Sequence, residues 1–232
     1  MDPEYDRYLR TEWELFANDA ARSAASRDVA RGPVSRVLDA GCGAGQELLP
    51  FVRQGAFGFG MDIDPDVGFL GRELFGKEGV GHRVAFLRSA SEFLPFQSGS
   101  FDIVISRLAI PYTDNAKALA EMIRVLSPNG LLLLKIHHAG FYIHKIWHGL
   151  CTGKILNAIH GMRVLTAGAI YYLTGKQVRN RLVTGETFQT QSMLTRELNH
   201  HSFHIERLMP DSNWMTPSYL ISRRPSGNSW KA

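Results

Sequence analysis

The sequence predicts an α/β fold, a doubly wound and mostly parallel β-sheet with helices on both faces. Three observations support this prediction: strands and helices alternate from Val34 to Ile136, the strand segments are continuous apolar runs, and the chain ends in a strand–turn–strand pattern. Continuous apolar strands are typical of parallel sheets that helices cover on both faces. The length of 232 residues suits a single domain over residues 1–232 that carries an insertion.

The elements follow one another in a regular order. A helix is predicted from Tyr5 to about Ala25 within an N-terminal helical segment, residues 1–28, and Gly32-Pro33 ends it. Strands are predicted over residues 34–40, 57–62, 83–88, 101–106 and 130–136. Helices are predicted over residues 46–54, over 115–126, and from Pro65, where Asp64 is expected to be the N-cap.

The alternation stops after His138. Ile143, Ile146, Trp147 and Leu150 recur at helical spacing, and further apolar helical stretches lie near residues 154–161 and 164–174. Residues 139–187 are therefore predicted to be a helical insertion after the fifth strand, covering the site. A helix over residues 189–200 follows, and strands over 203–209 and 217–223 are predicted to pair as an antiparallel hairpin. The predicted sheet has seven strands.

Composition and charge exclude several classes of protein. The hydrophobic fraction of 44% and the two cysteines exclude a disordered chain and a disulfide framework. The N-terminus is polar and resembles no signal peptide, so a cytoplasmic location is the expectation. The net charge of +4 is unevenly distributed, because residues 122–185 contain eight Lys or Arg residues and no Asp or Glu. That stretch favours an anionic ligand or surface.

The segment Val37 to Gln46, with the letters VLDAGCGAGQ, is the most informative motif. Three glycines at alternate positions after a buried strand let the backbone approach a ligand at the N-terminus of the next helix. Asp62 ends the following strand about 20 residues further on, where a carboxylate can accept hydrogen bonds from two ribose hydroxyls. Together they predict a site for a nucleoside-containing cofactor.

Two further segments narrow the choice of cofactor. Residues 93–104 (FLPFQSGSFDIV) and 121–130 (EMIRVLSPNG), together with the glycine turn and Asp62, resemble the class I S-adenosylmethionine-dependent methyltransferases in order and spacing. The resemblance covers Val34 to about Ile136. It implies a Rossmann-like sheet of seven strands with an antiparallel C-terminal hairpin, S-adenosylmethionine as the cofactor, and methyl transfer as the activity. A nicotinamide-dependent oxidoreductase is the alternative that the glycine turn and Asp62 leave open.

The resemblance also implies roles for individual residues. Asp62 would bind the ribose hydroxyls, Ile63 would pack against the adenine, and Ser91 would offer its backbone N–H to the adenine edge beside Glu92. The family usually has an acidic residue at the position of Ala90, and alanine cannot accept a hydrogen bond from the adenine amino group. The amino-acid end of the cofactor would be held by the strand end and the glycine turn: Asp39, Ala40, Gly41, Cys42, Gly43, Gly45 and Gln46.

The methyl-transfer face would be lined by Ser106 and Arg107 at the end of the fourth strand. A sulfonium is an activated methyl donor, so the protein mainly aligns a nucleophile with the methyl–sulfur bond and excludes water. A general base is needed only where the nucleophile keeps its proton. The candidates are His137, His138 and Tyr112, although a structural role would also explain each of them.

The predicted acceptor is an oxygen, nitrogen or carbon atom of a small, partly apolar molecule. Residues 106–112 lack the Asp/Asn-Pro-Pro-aromatic pattern of nucleic-acid amino-methyltransferases, which argues against a nucleic-acid partner, and the two isolated cysteines predict no metal site. Tyr8, Arg10 and Trp13 of the first helix are predicted to line the site as well. So are the aromatic residues of the insertion: Phe141, Tyr142, Trp147, Tyr171 and Tyr172.

The acid-free insertion leaves three explanations open. It can favour an anionic or lipid-like substrate, it can make peripheral contact with an anionic membrane through residues 139–187, or it can be a pair of surface helices with a solvated basic face. A non-catalytic module of methyltransferase fold that binds a membrane or a protein partner is the second alternative function. The oligomeric state is not predicted.

Overall fold

A seven-stranded mixed sheet forms the centre of the molecule in the computed structural model, which describes residues 2–19, 29, 32–178 and 185–225. The strand order is 3-2-1-4-5-7-6. Strands one to five pair in parallel, and the seventh runs antiparallel between the fifth and the sixth. The predicted fold class and its C-terminal hairpin are confirmed. The strands are β1 (Arg36–Ala40), β2 (Phe57–Asp62), β3 (Val84–Arg88), β4 (Phe101–Arg107), β5 (Leu126–Lys135), β6 (Phe203–Leu208) and β7 (Ser218–Arg223).

The helices agree with the predicted order, with differences at their ends. The predicted first helix is described only to Asn18, and residues 20–28 lie outside the described part. The two apolar stretches near 154–161 and 164–174 form one continuous helix. The helices are α1 (Pro3–Asn18), α2 (Leu49–Arg53) after a 3₁₀ turn at Gln46–Leu48, α3 (Phe69–Lys77), α4 (Asn115–Val125), α5 (Ala139–Cys151), α6 (Ile155–Thr174) and α7 (Gln191–His200).

The start of α3 was predicted wrongly. Asp64 does not cap the helix, because its carboxylate accepts the backbone N–H of Asp66 at 2.7 Å and closes a separate turn. The helix begins only after Gly68, whose φ of 77° is accessible to a residue without a Cβ atom. The hydrogen bond from the backbone N–H of Asp66 to the Asp64 carboxylate therefore competes with helix formation at this position.

Alternate residues of the central strands pack into two cores, one on each face of the sheet. Val37 and Ile103 pack with Leu9, Trp13 and Phe16 of α1 and with residues of α2 and α3. Their neighbours Leu38 and Val104 point to the opposite face, where α4 and α7 cover them. The twofold side-chain period of a strand thus supplies both layers of the doubly wound fold.

Helices α5 and α6 form a hairpin that packs on its own small core. Tyr142, Val164 and Tyr171 are buried there with Phe188 and Met193. The two helices approach closely at glycines: a Cβ atom on Gly149 would lie 2.9 Å from the backbone of α6, and one on Gly161 would lie 3.1 Å from the Tyr142 carbonyl. This hairpin follows β5 directly, so the start of α5 lies beside the carboxyl ends of the parallel strands.

Candidate functional site

A cavity of about 1030 Å³ opens at the carboxyl ends of the parallel strands. β1 lies between β2 and β4. From β1 the strand order runs to β2 and β3 on one side and to β4 and β5 on the other, and open α/β sheets bind ligands at such a switch point. The structure brings most of the predicted site residues together here. Those that line the cavity are Asp39, Gly41, Cys42, Gly43, Gln46, Asp62, Ile63, Ser91, Glu92, Arg107, Tyr112 and His137.

Four predicted site residues lie outside the cavity lining. Ala40 and Ser106 are fully buried, because along a strand they point away from their neighbours Asp39 and Arg107. His138 follows the same alternation next to His137, and its ring accepts the backbone N–H of Gly140 at 3.4 Å as the N-cap of α5. The last of the four is Gly45, against which the ring of Phe86 packs.

The glycine turn after β1 is held against β2 by its backbone. The N–H groups of Gly41 and Cys42 both donate to the carbonyl of Met61, at 2.7 and 2.9 Å. Gly41 has φ of 83°, and a Cβ atom there would lie only 2.2 Å from the Cβ of Ala109. Both the conformation and the close approach of the β4 loop therefore require glycine at this position.

Asp62 is oriented by two backbone bonds. Its Oδ2 accepts the N–H of Gly43 at 3.0 Å, and its Oδ1 accepts the N–H of Asp64 at 3.1 Å. A carboxylate offers about four lone-pair sites. One bond on each oxygen fixes the plane of the carboxylate and leaves each oxygen able to accept another hydrogen bond from the cavity.

The loops after β2 and β3 contribute an apolar and a polar surface. Ile63 and Phe93 line the cavity although their side chains are 69% and 72% exposed, so both present apolar area to a ligand. Ser89 donates its hydroxyl to the Phe93 carbonyl at 2.7 Å, and Glu92 accepts the backbone N–H of Asp114 at 2.7 Å. Sequence reasoning missed Phe93, which lies in the recognised segment but carried no assigned role.

Polar groups concentrate at the other end of the cavity. The side-chain oxygen of Gln46 is buried and has no hydrogen-bond partner among the described residues, while buried Asp39 lines the cavity nearby. An acceptor of this kind beside a carboxylate suits a ligand with an ammonium group. These acceptors therefore fit the ammonium group at the amino-acid end of S-adenosylmethionine.

Arg107 belongs to a buried charge cluster. Its guanidinium pairs with Glu47 at 2.9 Å and with Asp211, whose carboxylate also accepts from Lys135 at 2.9 Å. Burial alone would raise the pKa of Asp211, but Arg107 and Lys135 lower it to about 2. The cluster ties the end of β4 to the end of β5 and to the turn before β7. Leu108, the next residue after Arg107, also lines the cavity. Its φ of 62° is strained for a residue with a Cβ atom.

His137 is buried in a network that no sequence pattern indicated. Its ring stacks on Phe141 with centroids 4.1 Å apart, and its Nδ1 lies 3.3 Å from the hydroxyl oxygen of Tyr142. Tyr142 donates to Glu186 at 2.7 Å, and the other oxygen of Glu186 lies 3.0 Å from Nε2 of His160. Because Tyr142 gives its only proton to Glu186, its oxygen accepts from His137, which assigns the imidazole proton to Nδ1.

The protonation of the two base candidates that line the cavity differs. Burial, with a smaller effect of Lys145, lowers the pKa of His137 to about 4, so the imidazole is neutral at pH 7. Burial and the nearby Glu186 raise the pKa of Tyr112 to about 12, so its phenol stays protonated. Only His137 therefore offers a lone pair for a proton at neutral pH.

The N-terminal helix closes one side of the cavity, and of the three residues predicted to line it only Tyr8 does so. Tyr5, Tyr8 and Leu9 line it. Trp13 is buried in the core against Phe75, and Arg10 pairs with acidic side chains on the outer surface. Burial raises the pKa of Tyr5, with further increases from nearby aspartates that include Asp62.

The predicted aromatic lining of the insertion is largely wrong. Phe141 lines the cavity, whereas Tyr142 and Tyr171 are buried in the hairpin core. Trp147 and Tyr172 are exposed on the outer side. The reason is that helical periodicity identifies an apolar face but not the neighbour that covers it. Within the described residues, no group of three or more His, Cys, Asp or Glu side chains is arranged to hold a metal ion.

Residues 38–134 match the family model of the methyltransferase domain. A ubiquinone/menaquinone biosynthesis C-methyltransferase of Vibrio vulnificus is 38% identical over 126 residues, 53% of this chain and 45% of that protein. A sterol 4-C-methyltransferase of Caenorhabditis elegans is 31% identical over 98 residues, 42% of this chain and 29% of that protein. The chain thus spans less than half the length of these curated relatives.

A solved structure agrees with the fold over nearly the whole chain. It is a 1,6-didemethyltoxoflavin-N1-methyltransferase of Burkholderia thailandensis with bound S-adenosylhomocysteine, with a TM-score of 0.58 and 16% identity, covering 96% of this chain and 86% of that one. Fold and sequence match together define a Rossmann-like α/β fold with a cavity at the carboxyl ends of its parallel strands. Over residues 38–134 the chain is similar to the S-adenosylmethionine-dependent methyltransferases, and these comparisons indicate S-adenosylmethionine as the cofactor.

Proposed function

We propose that this chain transfers the methyl group of S-adenosylmethionine to an oxygen, nitrogen or carbon atom of a small, partly apolar molecule. The observation that carries the proposal is one continuous cavity that contains both the Asp62 carboxylate and the buried His137 with its aromatic neighbours. Ligand cavities usually measure about 300–1,000 Å³, so a cavity of about 1030 Å³ has room for a cofactor and a second molecule.

The chain's own residues would hold and orient the cofactor. Asp62 accepts the ribose hydroxyls with its remaining lone pairs, and Ile63 and Phe93 pack against the adenine. Asp39 and the unpartnered oxygen of Gln46 bind the ammonium group. When bound, S-adenosylmethionine supplies a methyl group on a sulfonium, which needs no further activation.

Adenine recognition without an acid at position 90 would rest on neighbouring groups. Ala90 lines the cavity together with Ser89, Ser91 and Glu92. Ser89 has donated its proton to Phe93, so its oxygen can still accept a hydrogen bond from the adenine amino group. The packing of Ile63 and Phe93 compensates for a weaker polar contact.

His137 is the residue that we propose as the base where the nucleophile keeps its proton. Tyr142 and Glu186 hold the ring proton on Nδ1, so Nε2 carries the lone pair. An imidazole of such low pKa is a weak base. It therefore suits an acidic hydroxyl, such as that of a phenol or an enol, better than an aliphatic alcohol.

The acceptor class follows from the residues on that side of the cavity. Phe141, Tyr112 and Leu108 supply apolar contact area around His137. The similarity to proteins named as a sterol and a ubiquinone/menaquinone C-methyltransferase supports a lipid-like acceptor for this chain too. A small-molecule partner, no nucleic acid, a cytoplasmic location and peripheral membrane contact through residues 139–187 complete the proposal.

The test combines cofactor binding with turnover. Calorimetric titration should give micromolar binding of S-adenosylhomocysteine and no binding of NADH. The protein should then transfer label from methyl-labelled S-adenosylmethionine to one of a panel of phenols, hydroxyquinones and sterols, and His137→Asn should lower kcat. Tight S-adenosylhomocysteine binding without transfer to any panel member or to a lipid extract would favour the non-catalytic module. Selective NADH binding would overturn the proposal altogether.

A further inference from the structure

The helical hairpin presents an exposed apolar surface that no described part of the chain covers. We call it the outer apolar face. Leu156 and Leu173 are 81% and 80% exposed and Trp147 is 68% exposed, whereas large apolar side chains in a monomeric protein are usually exposed singly. The outer apolar face consists of Ile143, Trp147 and Leu150 of α5 and of Ile155, Leu156, Ile159, Met162, Tyr172 and Leu173 of α6.

The positions of four of these residues show that they lie on one side of α6. With about 100° between successive residues, Ile155, Ile159, Met162 and Leu173 fall within about 60° of one another on α6. The opposite positions of that helix are buried and include Val164 and Tyr171. A surface helix is usually apolar only on its buried side. In contrast, α6 carries large apolar residues both on the side that faces the protein and on the side that faces outward.

The charged residues of the helical hairpin itself have one sign. The whole segment from residue 122 to residue 185 contains no Asp or Glu. Lys154 in the turn between the helices and Lys176 after α6 are exposed, and Arg163 lies one position beyond Met162 on the outer side. A second protein would ordinarily meet a mixed-charge rim, whereas an apolar face whose own two helices carry only cations complements an anionic lipid surface.

We propose that the outer apolar face docks onto an anionic lipid bilayer, with α5 and α6 lying in the interface. Trp147 is suited to the headgroup region, because its ring is apolar and its N–H can donate. Among the described helices none is long and apolar enough to span a bilayer. The inference rests on the membrane contact included in the proposed function, but it needs neither cofactor nor turnover.

Docking in this orientation would place the bilayer close to the cavity, because helix α5 contributes residues to both. Phe141, in the first turn of α5, lines the cavity beside His137, while Ile143 and Trp147 further along the same helix belong to the docked face. An acceptor molecule that partitions into the bilayer would therefore leave it close to the cavity opening.

Vesicle co-sedimentation tests the docking. The full chain should bind vesicles of 70% phosphatidylcholine and 30% phosphatidylglycerol at least tenfold more strongly than pure phosphatidylcholine vesicles. Leu156→Glu combined with Leu173→Glu should reduce binding tenfold or more, because two large apolar contacts are lost. Lys154→Gln and Lys176→Gln should each reduce it about fivefold, at about 1 kcal/mol per charge near the surface.

Phe57→Glu is the matched control, since Phe57 is 50% exposed at the start of β2, a strand that does not contact the hairpin's β5. It should leave vesicle binding unchanged. S-adenosylhomocysteine titration of every variant separates this inference from the proposed function, because binding of that ligand should stay constant throughout. Equal loss of vesicle binding in Phe57→Glu, no preference for anionic vesicles, or a dimer in sedimentation velocity that the leucine variants dissociate would each overturn the docking.

Discussion

The buried imidazole of His137 should make the stability of this protein fall in mild acid. In the folded chain its pKa is about 4 because burial opposes the charged form, whereas in the unfolded chain it returns to about 6.5. Above pH 6.5 the group is neutral in both states and has no effect. As the pH falls from 6.5 towards 4, the unfolded state binds a proton that the folded state does not, so stability is lost in that window.

The size of the loss follows from the two pKa values. At pH 5 the unfolded imidazole is almost fully protonated, whereas the folded one is about nine-tenths neutral. This difference lowers the free energy of unfolding by about 2 kcal/mol. The full shift corresponds to about 3 kcal/mol below pH 4. His137→Asn removes the titrating group, while the Asn side-chain N–H can still donate to the hydroxyl oxygen of Tyr142 in place of Nδ1.

Urea denaturation at pH 7.5 and pH 5.0 measures this contribution. The free energy of unfolding of the wild type should fall by about 2 kcal/mol more between these pH values than that of His137→Asn. His148→Asn, on the exposed side of α5, is the control and should follow the wild type. An identical pH dependence in wild type and His137→Asn would refute the reasoning that the folded protein keeps this imidazole neutral.

Three further variants test the site. Asp62→Asn should weaken S-adenosylhomocysteine binding about 10- to 150-fold in calorimetry, which is the free energy of one hydrogen bond to a charged acceptor. An unchanged Kd would contradict the assignment of Asp62 to the ribose. Gly41→Ala should lower the free energy of unfolding in urea by at least about 1–2 kcal/mol, because φ is 83° and the new Cβ meets Ala109, while Gly32→Ala, with open space around it, should not. Arg107→Met should cost about 3–5 kcal/mol in the same assay, since Glu47 loses its buried partner; a loss below 1 kcal/mol would show that the cluster is not coupled to folding.

Local pattern was sufficient for the sheet and for the meeting of the glycine turn with Asp62 at one cavity. The alternation of apolar strands with helices predicts β1 to β5, because parallel strands buried on both faces must be apolar throughout. The glycine turn and Asp62 lie at fixed spacing around two adjacent strands, so their meeting at one edge follows from the topology. The start of α3 was mispredicted because an aspartate turn and a helix cap use the same residue types.

Contacts between segments distant in sequence determine the surroundings of His137 and Arg107. His137 has its tautomer because Tyr142 bonds Glu186, 44 residues further along the chain, and it is neutral because the folded chain buries it. The pairing of Arg107 with Asp211 spans 104 residues. The sequence alone determined that α5 and α6 are apolar and free of acids. Only the tertiary structure decided which apolar side is buried and which is left outward, because side-chain periodicity is the same whether protein, lipid or water lies beyond the helix.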